Sequence, residues 1–143
     1  MSVSDNIKVS ELIPQKEPFV LIDKLVDHQG KIVVSSFEIK EDGPLVENNF
    51  LQESGLLENM AQTCALLSGI SAKKNHSEPV IGFIAGIKNF KVLKLPEVGS
   101  VLSTQIELTD EVMNMQIAKA SIRLGKNEII ASCELKIFLK NNE

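Results

Sequence analysis

The chain has 143 residues, of which 43% are hydrophobic and 24% charged, with a net charge of −4. That length and balance fit one domain, residues 1–143, with a core of its own. The acidic balance excludes nucleic acid as the main partner, because a phosphate footprint needs a basic face, and no apolar run approaches the roughly 20 residues that span a bilayer.

The opening MSVSDNIKVS has neither a basic nor an apolar leader region, so no secretory signal is expected and the default location is the cytoplasm. KVSELIP predicts a short helix stopped by Pro14. FVLIDKLVD, HQGK and IVVSSFEI then read as strand, turn and strand, a hairpin. KEDGPLVENNFLQE reads as loop, with Gly43 and Pro44 as breakers and Asn48 and Asn49 as turn formers. A long helix follows, with Ser54 as its expected N-cap, Lys73 and Lys74 complementing its C-terminal dipole, and KNHSEP ending it.

Four strand-like segments complete the chain: VIGFIAGIKNF, SVLSTQIELTD, MNMQIAKASIRL and EIIASCELKIFL. In the last, Ile129, Ala131, Cys133, Leu135, Ile137 and Leu139 alternate with more polar neighbours. Short connections imply antiparallel pairing. Two strands, one long apolar helix and four strands predict an α+β fold in which a curved antiparallel sheet surrounds a central helix. One sheet cannot cover a helix that is apolar nearly all round, so a second copy of the sheet, in a dimer, is expected to supply the rest.

The helix carries the chemistry. From Ser54 to Ala72 its only charge is Glu58. At 100° per residue Glu58 and Gln62 share a face, with Ala61, Ala65, Gly69 and Ala72 on or beside it, whereas Met60, Cys64, Leu66, Leu67 and Ile70 lie on the other sides. A polar pair beside small residues suits a cleft with Glu58 at its head. The alternatives are a carboxylate kept there by the helix dipole and a Gln62 that bonds a buried backbone group. Cys64 and Cys133 lack metal or disulfide spacing and read as buried free thiols. His28 and His76 fall in turns, so no metal site is expected.

LIPQKEPFVLIDKLVD, LLENMAQT and FIAGIKNFKVLKLPEVGSVL resemble, in order and spacing, the β-hydroxyacyl-acyl-carrier-protein dehydratases of the hot-dog fold, over about Leu12 to Leu139. The resemblance implies removal of water from a 3-hydroxyacyl thioester held on the phosphopantetheine of acyl carrier protein, with no other cofactor. It implies that Glu58 handles the leaving hydroxyl and that Gly55 is the candidate oxyanion N–H. It also implies an acyl tunnel at a dimer interface, with Phe50, Phe83, Ala85, Gly86 and Ile87 as candidate lining.

The family's catalytic histidine, in a His-Phe-Pro motif before the helix, is replaced. Asn49 matches it, the proline is missing, and the segment up to Glu58 is shorter by several residues. Asparagine is no general base, though its amide can orient a water or the thioester. This histidine-lacking form resembles the dehydratase-like proteins of aryl-polyene and flexirubin-type pigment assembly, some of which act beside a histidine-bearing hot-dog subunit. Three functions stay open: a dehydratase, a hot-dog thioesterase in which Glu58 activates water, and a non-catalytic acyl-binding partner subunit. The dimer is homo- or heteromeric.

Lys88, Lys91 and Lys94 are candidates for docking the acidic carrier protein, with a solvated surface as the alternative. Met113, Met115 and Ile117, and likewise Phe83, Phe90 and Phe138, are expected in the core, with Phe83 nearest the acyl site.

Overall fold

The computed structural model describes residues 8–76 and 81–140. The start of MSVSDNIKVS, the last residues of KNHSEP and Val80 at the head of VIGFIAGIKNF lie outside them. A single 3-10 turn, Val9–Glu11, leads into β1 (Lys24–Gln29) and β2 (Ile32–Glu38). A miniature hairpin, β3 (Val46–Glu47) and β4 (Phe50–Leu51), precedes the helix α1 (Glu53–Lys74). Four long strands follow: β5 (Ile81–Val92), β6 (Val101–Val112), β7 (Met115–Leu124) and β8 (Glu128–Lys140).

The six long strands make one antiparallel sheet in the order β1-β2-β6-β7-β8-β5. Register shifts interrupt β1/β2, β5/β8, β6/β7 and β7/β8, and such bulges bend a strand and increase its twist. The 22-residue helix, about 33 Å long at 1.5 Å per residue, packs against β2, β6 and β7 and less extensively against β5. Alternation decides the inner face: Ala118, Ala120 and Ile122 of β7, and Cys133, Leu135 and Ile137 of β8, are buried with Leu56, Met60, Leu66 and Ile70 of the helix. Cys133 Sγ meets Met60 Sδ at 3.4 Å in that layer.

Several sequence expectations shift. Phe19–Asp23 is not strand; β1 begins only at Lys24, because the carbonyl of Phe19 and both backbone polar groups of Leu21 bond to helix side chains instead. The N-cap is Gln52, not Ser54. Gln52 Nε2 donates to the carbonyls of Glu47 and Phe50, and its backbone N–H donates to Leu45, so the helix start is tied to the small hairpin rather than capped by a hydroxyl. The stretch read as loop contains that hairpin. Its turn is Asn48–Asn49 with φ of 53° and 73°, the left-handed pair that a two-residue hairpin turn requires and that asparagine tolerates.

Three expected core residues are on the surface. Phe83 and Phe138 are 52% and 45% exposed, paired across β5 and β8, and Met113 is 93% exposed at the β6–β7 turn. Phe138, Met115 and Ile117 lie on the sheet face away from the helix, one step out of phase with buried Ile137 and Ala118. Phe90 does pack against the core, partly buried.

Candidate functional site: a helix carboxylate with one face open

The helix presents two faces. Gly55, Leu56, Asn59, Met60, Gln62, Thr63, Leu66, Gly69 and Ile70 are buried. Leu57, Glu58, Ala61, Cys64, Ala65 and Ser68 are only half-buried, and their spacing traces one continuous stripe. That stripe is what a single sheet leaves uncovered. Beside it, the edge strand β5 exposes Ile84 and Ile87, which are in register with the inward-facing Ile137 and Leu135. The uncovered helix stripe and the β5 edge are two apolar surfaces left open.

Glu58 sits on the stripe. Its Oε2 accepts a hydrogen bond of 3.1 Å from Gln62 Nε2. The same nitrogen donates to the carbonyl of Phe19 at 2.9 Å, while Gln62 Oε1 accepts from the N–H of Leu21 at 2.7 Å. Gln62 is fully buried and fully bonded. It satisfies buried backbone groups and holds one oxygen of Glu58. The other oxygen, Oε1, has no partner among the described residues.

The neighbouring network escaped the sequence reading. Asn59 Nδ2 donates to the Leu21 carbonyl at 2.7 Å, and Thr104 Oγ1 donates to Asn59 Oδ1 at 2.5 Å. Thr63 Oγ1 donates to the Asn59 carbonyl and is 2.7 Å from Ser35 Oγ. Asn59, Gln62 and Thr63 fall at i, i+3 and i+4, a polar trio whose spacing was the available signal. Together Asn59 and Gln62 clamp the extended Phe19–Leu21 segment onto the helix and so fix the floor beneath Glu58. Further along, Gly69 lets the backbone of Leu12 approach: a Cβ there would strike the Leu12 carbonyl oxygen and stand 2.8 Å from its Cα.

Asn49 is occupied elsewhere. Its side-chain amide donates to Glu97 at 3.1 Å, and its carbonyl accepts from Val98. The position that matches a histidine in the resembling family is a hairpin turn pinned to the loop before β6. Neither histidine substitutes for it. His28 bonds the Gly30 carbonyl inside the β1–β2 hairpin, and His76 lies past the far end of the helix, roughly 25 Å along its axis from Glu58. Gly55 packs against the side chain of Leu51 too closely for any Cβ, and its N–H donates to the Gln52 carbonyl at 2.9 Å. That donor is engaged within the helix start.

Phe83, Ala85 and Ile87 lie exposed on β5, with Gly86 half-buried there, while Phe50 lines a separate open cleft with Leu95, Pro96, Glu97 and Leu124. A second open cleft lies along Val9, Gln15, Lys16, Val20 and Lys24; neither contains Glu58. The three candidate docking lysines do not form one unopposed patch. Lys94 pairs with Glu128 at 3.1 Å, Lys88 is in register with Glu134, and Lys91 with Ser132. The outer face instead carries a row of alternating charge across four strands: Lys88, Glu134, Lys119, Glu107.

Both thiols are harder to ionise than a free cysteine. Burial pushes Cys64 up to about 12, with Cys133 adding to the rise, and burial pushes Cys133 up to about 11. Among the described residues no group of three His, Cys, Asp or Glu is placed to hold a metal, and no helix is long and apolar enough to cross a membrane.

A long helix packed on one curved antiparallel sheet, with Glu58 on its open face, is the arrangement of a hot-dog fold. The ApeP-like family, described as ApeP dehydratase, matches residues 7–143, and the chain belongs to it. The 3-hydroxyacyl-[acyl-carrier-protein] dehydratase FabZ of Staphylococcus saprophyticus is 28% identical over 97% of both chains. A thioester dehydrase of Halalkalibacterium halodurans is 25% identical over 97% of this chain and 95% of its own. Among solved structures, the dehydratase heterocomplex ApeI:P from Xenorhabdus doucetiae superposes with a TM-score of 0.86 at 20% identity, covering 95% of this chain and 93% of that one.

Proposed function

We propose that this chain dehydrates a 3-hydroxyacyl thioester carried on the phosphopantetheine of acyl carrier protein, in a site completed by a second hot-dog subunit. Glu58 carries the reading. It is the sole charge between Ser54 and Ala72 and lies on the helix's open stripe, with one oxygen held by Gln62 and the other free to face a substrate. A proton leaves C2, the C3–O bond breaks, and Glu58 delivers a proton to the departing hydroxyl, so that water and a trans-2-enoyl thioester result. The thioester carbonyl makes the C2 proton acidic, and polarisation of that carbonyl stabilises the developing charge. The elimination is redox-neutral and needs no cofactor.

This chain brings no histidine to Glu58, and Asn49 is neither basic nor free. The base therefore comes from the second subunit, which docks on the β5 edge and covers the helix stripe. Exposed Ile84 and Ile87 beside half-buried Ala61 and Ala65 support that geometry, as does the two-chain assembly of the Xenorhabdus protein.

The test follows a 3-hydroxyacyl carrier protein by intact mass, with the chain alone and with a histidine-bearing hot-dog subunit. Loss of one water that falls about 10³-fold in Glu58→Gln, within the range that general acids contribute, is the expected result. Dehydration by the pair that is indifferent to Glu58→Gln would make this chain a non-catalytic partner. Loss of the whole acyl group would make it a thioesterase.

A further inference from the structure

We infer that Phe19 is a specificity-determining residue: its ring forms the wall beside Glu58 against which the apolar part of the acyl group lies. The inference rests on the reading of Glu58 given above.

Phe19 ends an exposed stretch, residues 16–19, and leads into a segment that turns to the core. Leu21 and Ile22 are in the core and Val20 is half-buried, but Phe19 is 66% exposed. The exposed ring does not hang on a loose loop. The N–H of Phe19 donates to the Lys16 carbonyl at 2.9 Å, closing a turn, and its own carbonyl accepts from Gln62. Its backbone is thus fixed at both polar groups.

The second observation places that backbone. Gln62 Nε2 donates at once to Phe19 O and to Glu58 Oε2. Two acceptors within 3.1 Å of one nitrogen are neighbours, so the Phe19 main chain lies alongside the carboxylate that handles the hydroxyl. An aromatic ring is the largest apolar surface the chain has available, as it contains no Trp or Tyr. Left in water on a rigid backbone, next to the reacting group, it is positioned to meet an apolar ligand. The helix stripe itself offers Leu57, Ala61 and Ala65, apolar and half-open. A substrate whose C3 hydroxyl reaches Glu58 Oε1 must send its remaining carbons between these surfaces. The wall acts on the chain beyond C3 and makes no contact with the leaving oxygen.

The experiment compares wild type, Phe19→Ala and Phe19→Leu on short and long 3-hydroxyacyl carrier proteins, using whichever assembly turns over. The expected result for Phe19→Ala is a loss of about tenfold or more in kcat/KM for the long substrate, chiefly through KM. The short substrate should be little affected, Phe19→Leu should recover part of the loss, and the assembly mass should not change. Equal kinetics on both substrates, or loss of the assembly, would overturn the inference.

Phe19→Trp supplies a readout independent of turnover, because its indole is the only one in the chain. Its emission should shift saturably as a long-chain 3-hydroxyacyl pantetheine is added, in wild-type and Glu58→Gln backgrounds alike. No shift would overturn the wall. A saturable shift with no dehydration in any assembly would keep the wall and sink the assignment of Glu58.

Discussion

Asn59 and Glu58 are neighbours in the chain, yet they turn to different flanks of the helix, about 100° apart. On the covered flank Asn59, Gln62 and Thr63 are enclosed, and each polar atom has a partner from β2, β6 or the Phe19–Leu21 segment. On the open flank Glu58 is half-buried, and one of its oxygens has no partner among the described residues. The covered flank has the character of structure, because buried polar groups must be bonded to be tolerated. The open flank has the character of a site, because a group poised without a protein partner is available to a ligand. Gln62 joins the two, so the rigid side positions the reactive one.

Substitutions on the two flanks should separate cleanly. Glu58→Gln, the largest functional effect, removes turnover and leaves the melting temperature close to wild type. Asn59→Ala should do the reverse. It strands the Leu21 carbonyl and the Thr104 hydroxyl, and a cost of about 3 kcal/mol in stability follows from losing several buried hydrogen bonds at once; denaturant titration measures it. Gly69→Ala should come next, at about 2 kcal/mol, since its new Cβ must push the Leu12 backbone away. Faster amide exchange across the Val9–Ile13 segment would report that displacement.

The smallest effect comes from the thiols. Both have raised values in the folded chain, so the unfolded chain ionises first, near 9. Stability is then full below pH 9 and falls as the pH rises toward 11 to 12, because the unfolded state binds fewer protons there. Replacing both cysteines by alanine should flatten that alkaline slope, whatever it does to stability at neutral pH.

Much of this was legible in the chain. The helix, the six long strands and the lone carboxylate follow from period and composition, and the expectation of a second subunit rests on a helix that one sheet does not cover. What escaped depends on distant partners. FVLIDKLVD has the apolar content of a strand, but Asn59 and Gln62, some forty residues on, hold its first residues against the helix. Ser54 is a good N-cap by type, but Gln52 sits where the β3–β4 hairpin ends and reaches back to it. Phe83 and Phe138 are apolar yet point away from the helix, because the strand register sets their face. The bond of Asn49 to Glu97 joins residues 48 apart, beyond the reach of local pattern.

The row Lys88, Glu134, Lys119, Glu107 has a use unrelated to docking. Each strand of an antiparallel pair can slide by two residues and keep the same face inward. Sliding β8 against β7 so that Lys136 replaces Glu134 would set Lys136 directly opposite Lys119, lysine against lysine, while Glu134 would face only Ser121. The charges on the outer surface thus disfavour that slipped register by like-charge repulsion, a small bias added to the packing of the inner face.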